Sequence, residues 1–197
     1  MTTLMVRRPP FQIDASVPFQ WQPSNPSFEL FGNAFTFLAV AFEKYIVAAT
    51  REAMSRITDP DIAEEADAFL RQEAQHARAH RAHARAMIEQ YPGLDDTFAA
   101  VNAAYDDLLE GEDVEFHLAY IANLEATFTP LFKMVFDNRR PLFEGGDERV
   151  GTLRKIPDTQ PRPDPRITPD VGRRVARRLR RERGRHDLRR RPTLNLG

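Results

Sequence analysis

Residues 61–91 read DIAEEADAFLRQEAQHARAHRAHARAMIEQY, and eight of them recur at a 4-3 spacing. That spacing places their side chains on one face of an α-helix. The eight residues are Ile62, Ala66, Phe69, Glu73, His76, His80, His83 and Met87. The apolar ends of this stripe predict that it faces a core, yet its centre holds one carboxylate and three imidazoles. Because a core tolerates such groups only when they are paired or bind a metal, the stripe predicts a metal site.

A second long helix is predicted before this one, over residues 28–57. Apolar residues recur there at helical spacing, without proline. The sequence Thr58-Asp59-Pro60 follows and supplies a capping residue with proline at the first helical position. These residues therefore predict a break between the two helices and the start of the next.

Two more helices are predicted after residue 91. Residues 97–109 have the pattern of a short amphipathic helix, and residues 114–135 that of a third long helix capped by Asp113. Residues 138–147 are predicted as a loop. No alternation of period two is long enough for a strand, so we expect an all-α protein.

The N-terminal part and the composition narrow the class of protein. Residues 1–27 are rich in proline and predict an extended arm whose aromatic residues Phe11, Phe19 and Trp21 pack onto the body. They contain no apolar segment typical of a secretory signal. The most hydrophobic stretch, residues 34–49, includes charged residues and predicts no transmembrane segment. The absence of cysteine excludes disulfides and thiolate metal sites, and we expect a cytoplasmic protein.

The composition changes near residue 151. Residues 151–197 hold 15 Lys and Arg against 5 Asp and Glu, and the preceding residues hold 13 against 24. No aromatic residue follows Phe143. Such a segment buries too little apolar area to offset its ordering entropy, which predicts a disordered tail. The predicted domains are thus an arm (1–27), a helical bundle (28–150) and this tail.

The tail also raises an alternative function. Its arginine-dense stretch, residues 173–191, favours binding to nucleic acid or another anionic surface. The lack of an aromatic residue for base stacking argues against nucleic acid as a partner.

The chemistry of the predicted site rests on three helices. Ferritin-like dimetal bundles use a glutamate from each of two helices and a Glu-x-x-His from each of two others. Glu73 and His76 form one Glu-x-x-His, while Glu43 and Glu125 lie on the preceding and following long helices. Three of the four contributions are therefore present. Each has a plain structural alternative, since a core histidine is often satisfied by a hydrogen bond and a glutamate by an arginine.

Carboxylate and imidazole ligands together favour iron, manganese or zinc over magnesium or copper. The predicted metal ligands are Glu43, Glu73, His76, His80 and Glu125, and the predicted catalytic residues are Glu73 and His80. We expect His83 and His117 to lie behind the ligands or at a solvated rim.

A resemblance to a known family supports this site. Residues 69–81, FLRQEAQHARAHR, resemble the Phe-x-x-Gln-Glu-x-x-His-x-x-x-His signature of the bacterial predicted metal-dependent hydrolase family. Residues 57–60, Phe42-Glu43 and residues 124–129 are similar to it as well. The resemblance covers about residues 25–150 and implies a ferritin-like bundle. The implied reaction is hydrolysis of a small molecule by metal-activated water. The alternative enzyme is a di-iron oxidase or oxygenase, because the same ligands bind O₂ when iron occupies them.

The chain departs from this family at two places. Ala126 stands where the family often has histidine, and the second Glu-x-x-His helix expected near residue 150 is absent from the sequence. A bundle lacking one helix exposes apolar faces, so we expect weak activity and homo-oligomers. One explanation is translation outside the ancestral reading frame from about residue 151; the other is a genuine basic extension. The nucleotide sequence would separate the two.

Overall fold

Helices account for most of the computed structural model, which describes residues 13–151. They are α1 (Pro26–Met54), α2 (Pro60–Gln90), α3 (Leu94–Gly111), α4 (Val114–Asp137), α5 (Arg139–Phe143) and α6 (Glu148–Gly151). No strand occurs in this part of the chain, and the prediction of an all-α protein is confirmed. Phe11 and the predicted tail beyond residue 151 lie outside the described residues.

The predicted helix starts at Pro60 and Val114 are confirmed by their caps. The Asp59 carboxylate accepts hydrogen bonds from the backbone N–H groups of Asp61 and Ile62. The Asp113 carboxylate likewise accepts from the N–H of Phe116. Each cap satisfies donors that have no partner inside the helix, which stabilises the start by about 1 kcal/mol.

Some predicted boundaries were wrong. Helix α1 begins at Pro26 and ends at Met54, and α3 is longer at both ends than predicted. The predicted loop 138–147 contains the short helix α5. Asn138 closes α4 with its N–H bonded to carbonyls of that helix, and the chain then turns directly into α5. Such one-turn helices carry little periodicity for a sequence pattern to reveal.

Helix α1 packs against each of the other three long helices. The four run alternately up and down, and α3 is parallel to α1, because Phe37 contacts Phe98 and the later Phe42 contacts the later Tyr105. Thr36 of α1 meets His83 of α2, whereas Glu43, further along α1, meets His80, so these two helices are antiparallel. Tyr45 of α1 contacts His117 of α4. The earlier Phe35 contacts the later Phe128. Helix α4 is therefore also antiparallel to α1, and Glu43 faces both partners.

The N-terminal arm packs its aromatic residues onto the bundle, as predicted for Phe19 and Trp21. The buried Trp21 indole donates a hydrogen bond to Asn33 Oδ1 at 2.8 Å and stacks on Phe143. A Cβ at Gly32 would lie 2.9 Å from the Trp21 ring, so only glycine lets the indole approach α1 this closely. The Phe19 ring packs edge-on against Tyr91.

Helix α1 is long and apolar enough, by length and composition alone, to cross a membrane. This finding does not contradict the prediction that residues 34–49 form no transmembrane segment, because the buried core helix of a soluble protein passes the same test. More than half of its most apolar window is buried inside the protein, as in the core helix of a bundle.

The two halves of α4 are covered unequally. Its buried residues all lie in the first half, and they are Val114, His117, Leu118, Ile121 and Ala122. Further along, Phe132 and Met134 are exposed. The second half of α4 is therefore only partly covered, with Leu124 and Phe128 still packed against the core.

Candidate metal centre

Three of the predicted ligands converge between α1 and α2. One ligand atom from each of Glu43, Glu73 and His76 lies within 4.8 Å of the other two. Both carboxylates are buried and the imidazole is partly buried. Ligand atoms this close together can share one cation, and the geometry therefore makes a candidate metal centre.

Local geometry explains why Glu73 and His76 meet. Residues three apart are neighbours on a helix surface, and His76 Nδ1 lies 3.6 Å from Glu73 Oε2. Glu43 arrives from α1 because the antiparallel packing brings the middle of that helix opposite this turn of α2. The Glu-x-x-His is thus a property of one helix, whereas its joining to Glu43 is a property of the bundle.

His80, one turn further along α2, borders the same group. Its Nε2 atom lies 3.8 Å from Glu43 Oε1. His80 Nδ1 and Glu43 Oε2 are buried, and neither has a hydrogen-bond partner among the described residues. Each such buried polar atom costs about 1–3 kcal/mol. A bound cation would satisfy them, so this donor set fits a metal ion.

Glu125 of α4 is the third carboxylate that interacts with the candidate metal centre. Burial raises the pKa of Glu43 well above its ordinary value, and the neighbouring Glu73 and Glu125 carboxylates raise it further. Burial and then Glu73 also raise the pKa of Glu125. Three carboxylates therefore interact in a poorly solvated place, where a divalent cation would offset their mutual repulsion.

His80 is neutral at physiological pH. Burial, followed by the neighbouring His76 and His83, lowers the pKa of His80 to about 3. The neutral imidazole is the form that binds metals, so no proton has to be displaced for His80 to act as a ligand.

His83 and His117 do not lie at a solvated rim, contrary to that part of the prediction. Both are fully buried. His83 Nδ1 is hydrogen-bonded to Thr36 Oγ1 at 3.0 Å, and His117 Nδ1 to the Tyr45 hydroxyl at 2.8 Å. Each imidazole is anchored by a hydroxyl group of α1.

Sequence reasoning missed these hydroxyl partners. Thr36 and Tyr45 stand within an otherwise apolar stretch of α1, and a buried hydroxyl there needs a partner. The need of these two hydroxyl groups for a partner was the signal in the sequence that could have predicted the contacts. It does not tell which residue of another helix supplies the partner.

The comparison with protein families places the chain in a family with a metal-dependent description. The bundle with its carboxylate–histidine group belongs to the class of helical metal-binding proteins. The profile of a family described as predicted metal-dependent hydrolase matches residues 5–155. The chain therefore belongs to the predicted metal-dependent hydrolase family, which implies a divalent metal.

No curated protein and no solved structure shows a significant match to the chain. The family match ends at residue 155, close to the point where the composition changes. The second Glu-x-x-His expected by the resemblance is not found in residues 13–151.

Proposed function

We propose that this protein hydrolyses a small molecule with the help of a divalent metal held by Glu43, Glu73 and His76. The convergence of these ligand atoms within 4.8 Å carries the proposal. His80 and Glu125 are proposed as further ligands, because His80 lies beside Glu43 and Glu125 interacts with Glu73. Iron, manganese and zinc all suit this donor set.

A metal bound here would lower the pKa of a water molecule and polarise a substrate oxygen. The residues of the chain supply the remaining functions. Glu43 and His76 hold the cation, and burial on α1 and α2 keeps bulk water from competing for it. Proton transfer falls to a carboxylate oxygen of Glu73 or to His80, the two predicted catalytic residues.

The ferritin-like type is part of this proposal. Two observations support it: the helices alternate in direction, and the ligand contributions come in the order Glu43, Glu73 with His76, and Glu125. A second Glu-x-x-His would complete the set of such bundles. Since the described residues lack it, we expect a single occupied metal position and weak activity.

The test is hydrolysis by the full chain reconstituted separately with zinc, manganese and iron. We expect release of p-nitrophenol from p-nitrophenyl esters by the wild type, and a loss of at least tenfold in Glu73→Gln. Glu89→Gln, an exposed carboxylate on the same helix, is the matched control and should keep full activity. Equal rates in all three proteins would contradict the proposal.

The dependence of the reaction on O₂ distinguishes the proposed hydrolase from the alternative, a di-iron oxidase. The iron-loaded protein is assayed with and without O₂, and the products are identified. Hydrolysis products formed equally under both conditions support the hydrolase, whereas oxidised products formed only with O₂ support the oxidase. Binding of an anionic surface by the arginine-rich stretch stays a prediction from the sequence. The cytoplasmic location and the formation of homo-oligomers stay predictions as well.

A further inference from the structure

Four phenylalanines form a patch beside the metal centre. Phe31 and Phe35 come from α1, and Phe128 and Phe132 from α4. The Phe35 ring centre lies 6.0 Å from that of Phe31, 5.4 Å from that of Phe128 and 5.6 Å from that of Phe132. Phe35 is thus the centre of the patch, and the two helices contribute to it equally.

The patch touches the proposed metal ligands directly. The Phe35 ring centre lies 6.1 Å from the ring centre of His80, in an edge-on arrangement. His80 in turn lies 3.8 Å from Glu43. His80 is therefore adjacent to both the Glu43 carboxylate and an aromatic surface.

The patch also reaches solvent. Phe31 and Phe132 are both 44% exposed, while Phe35 and Phe128 are partly buried. No charged residue occurs on α1 between Glu29 and Glu43. An uncharged aromatic surface that is continuous with a metal centre is suited to the apolar part of a ligand.

We propose that this patch binds the acyl group of the substrate, and that the substrate is an ester of a hydrophobic carboxylic acid. The inference rests on the proposed function. The ester carbonyl lies at the metal centre, and its apolar chain extends along Phe35 toward Phe31 and Phe132. The water oxygen bonds to the carbonyl carbon, the bond from that carbon to the ester oxygen breaks, and the alcohol leaves with a proton from the water.

We infer that a small molecule occupies the patch, because the patch is continuous with the candidate metal centre. A second copy of the chain could cover the same rings, but the proximity of Phe35 to His80 favours a molecule that also reaches the metal ligands. Each methylene that the patch removes from water contributes up to about fourfold in affinity. Affinity and rate should therefore rise with the length of the acyl chain.

The kinetic test uses p-nitrophenyl acetate, butyrate and octanoate with the metal-loaded full chain. We expect kcat/KM to rise at least tenfold from acetate to octanoate, and this rise to shrink at least threefold in Phe132→Ser. The matched control is Phe116→Ser, because Phe116 lies on the same helix, is 38% exposed and contacts Tyr120 instead of the patch. Hydrolysis with no dependence on chain length would overturn the inference and leave the proposed function standing.

A binding measurement tests the patch without turnover. If no ester is hydrolysed, the proposed hydrolysis and the ester substrate are both contradicted, and binding alone decides whether the patch holds an acyl chain. Octanoate and acetate are titrated calorimetrically into the zinc-supplemented protein. We expect octanoate to bind at least tenfold more tightly, with this preference reduced in Phe132→Ser and retained in Phe116→Ser. Equal binding of both acids, or no binding of either, would overturn the inference. So would a Phe132→Ser protein that changes from dimer to monomer in sedimentation while keeping its preference for octanoate.

Discussion

The histidines of the described region fall into two kinds, and they differ in what surrounds them. His76 and His80 lie beside Glu73 and Glu43, respectively, within 4 Å of a carboxylate oxygen. His83 and His117 each bond a hydroxyl group, and no carboxylate lies within the distance of an ion pair in the described structure.

The difference shows that an imidazole in a core does not by itself indicate a metal. Thr36 and Tyr45 supply a hydrogen bond to Nδ1 of His83 and His117, respectively, whereas Nε2 of each ring is buried without a partner among the described residues. Buried carboxylates are different, since their mutual repulsion persists until a cation or a proton offsets it. It is therefore the carboxylates around His76 and His80 that identify the candidate site.

The largest effect is expected on metal binding. His76→Ala should weaken zinc affinity on the order of 100-fold, because it removes one of a few ligands that share the binding free energy. His117→Ala removes an equally central histidine from the other kind of environment and should bind zinc as the wild type does. Titration calorimetry measures both. Equal zinc affinity in the two variants would contradict the distinction between the two kinds of histidine.

Metal should also stabilise the fold. At a free zinc concentration 1,000 times the Kd, the free energy of unfolding should rise by about 4 kcal/mol, because only the folded chain assembles Glu43 with Glu73 and His76. Urea unfolding with and without zinc measures this gain. His76→Ala at the same concentration should gain far less. A gain equal to that of the wild type would place the metal elsewhere.

His83, one of the two hydroxyl-bonded histidines, should make stability depend on pH. Burial lowers the pKa of His83 to about 4, from an ordinary value of 6.5. Below pH 6.5 the unfolded chain binds a proton at this residue and the folded chain does not, so stability falls as the pH falls toward 4. Between pH 7 and pH 5 the loss from His83 should be about 2 kcal/mol.

The measurement is urea unfolding of metal-free wild type and His83→Gln at pH 7 and pH 5. The glutamine does not titrate and retains a polar group opposite Thr36. The variant should lose about 2 kcal/mol less than the wild type on acidification. An identical loss in both proteins would mean that His83 is protonated in the folded state as readily as in the unfolded state.

The smallest effect is expected for the hydroxyl group itself. Tyr45→Phe leaves His117 Nδ1 without its 2.8 Å hydrogen bond and should lower the free energy of unfolding by about 1 kcal/mol. Zinc affinity should not change. Tyr105→Phe is the control, since its hydroxyl lies 3.4 Å from that of Tyr120 and makes a weaker bond. Reduced zinc affinity in Tyr45→Phe would show that the hydroxyl-bonded histidines also contribute to metal binding, contrary to the comparison.

Much of the fold could be predicted from local chemistry. Asp59 and Asp113 cap the helices that follow them, because a side-chain oxygen next to a helix start can bond only nearby N–H groups. The stripe on α2 and the pairing of Glu73 with His76 are equally local, since residues three apart meet on any helix. Helix periodicity therefore suffices for the all-α class and for half of the candidate site.

The sequence by itself determined which faces of the helices are apolar and which side chains could bind a metal. Only the tertiary structure decided that Glu43 meets Glu73, that Thr36 and Tyr45 serve His83 and His117, and that the fully buried residues of α4 all lie in its first half. The physical reason is the range of the interactions. Contacts within a helix follow from its repeat, whereas contacts between helices depend on their relative direction and register, which all packed side chains set together.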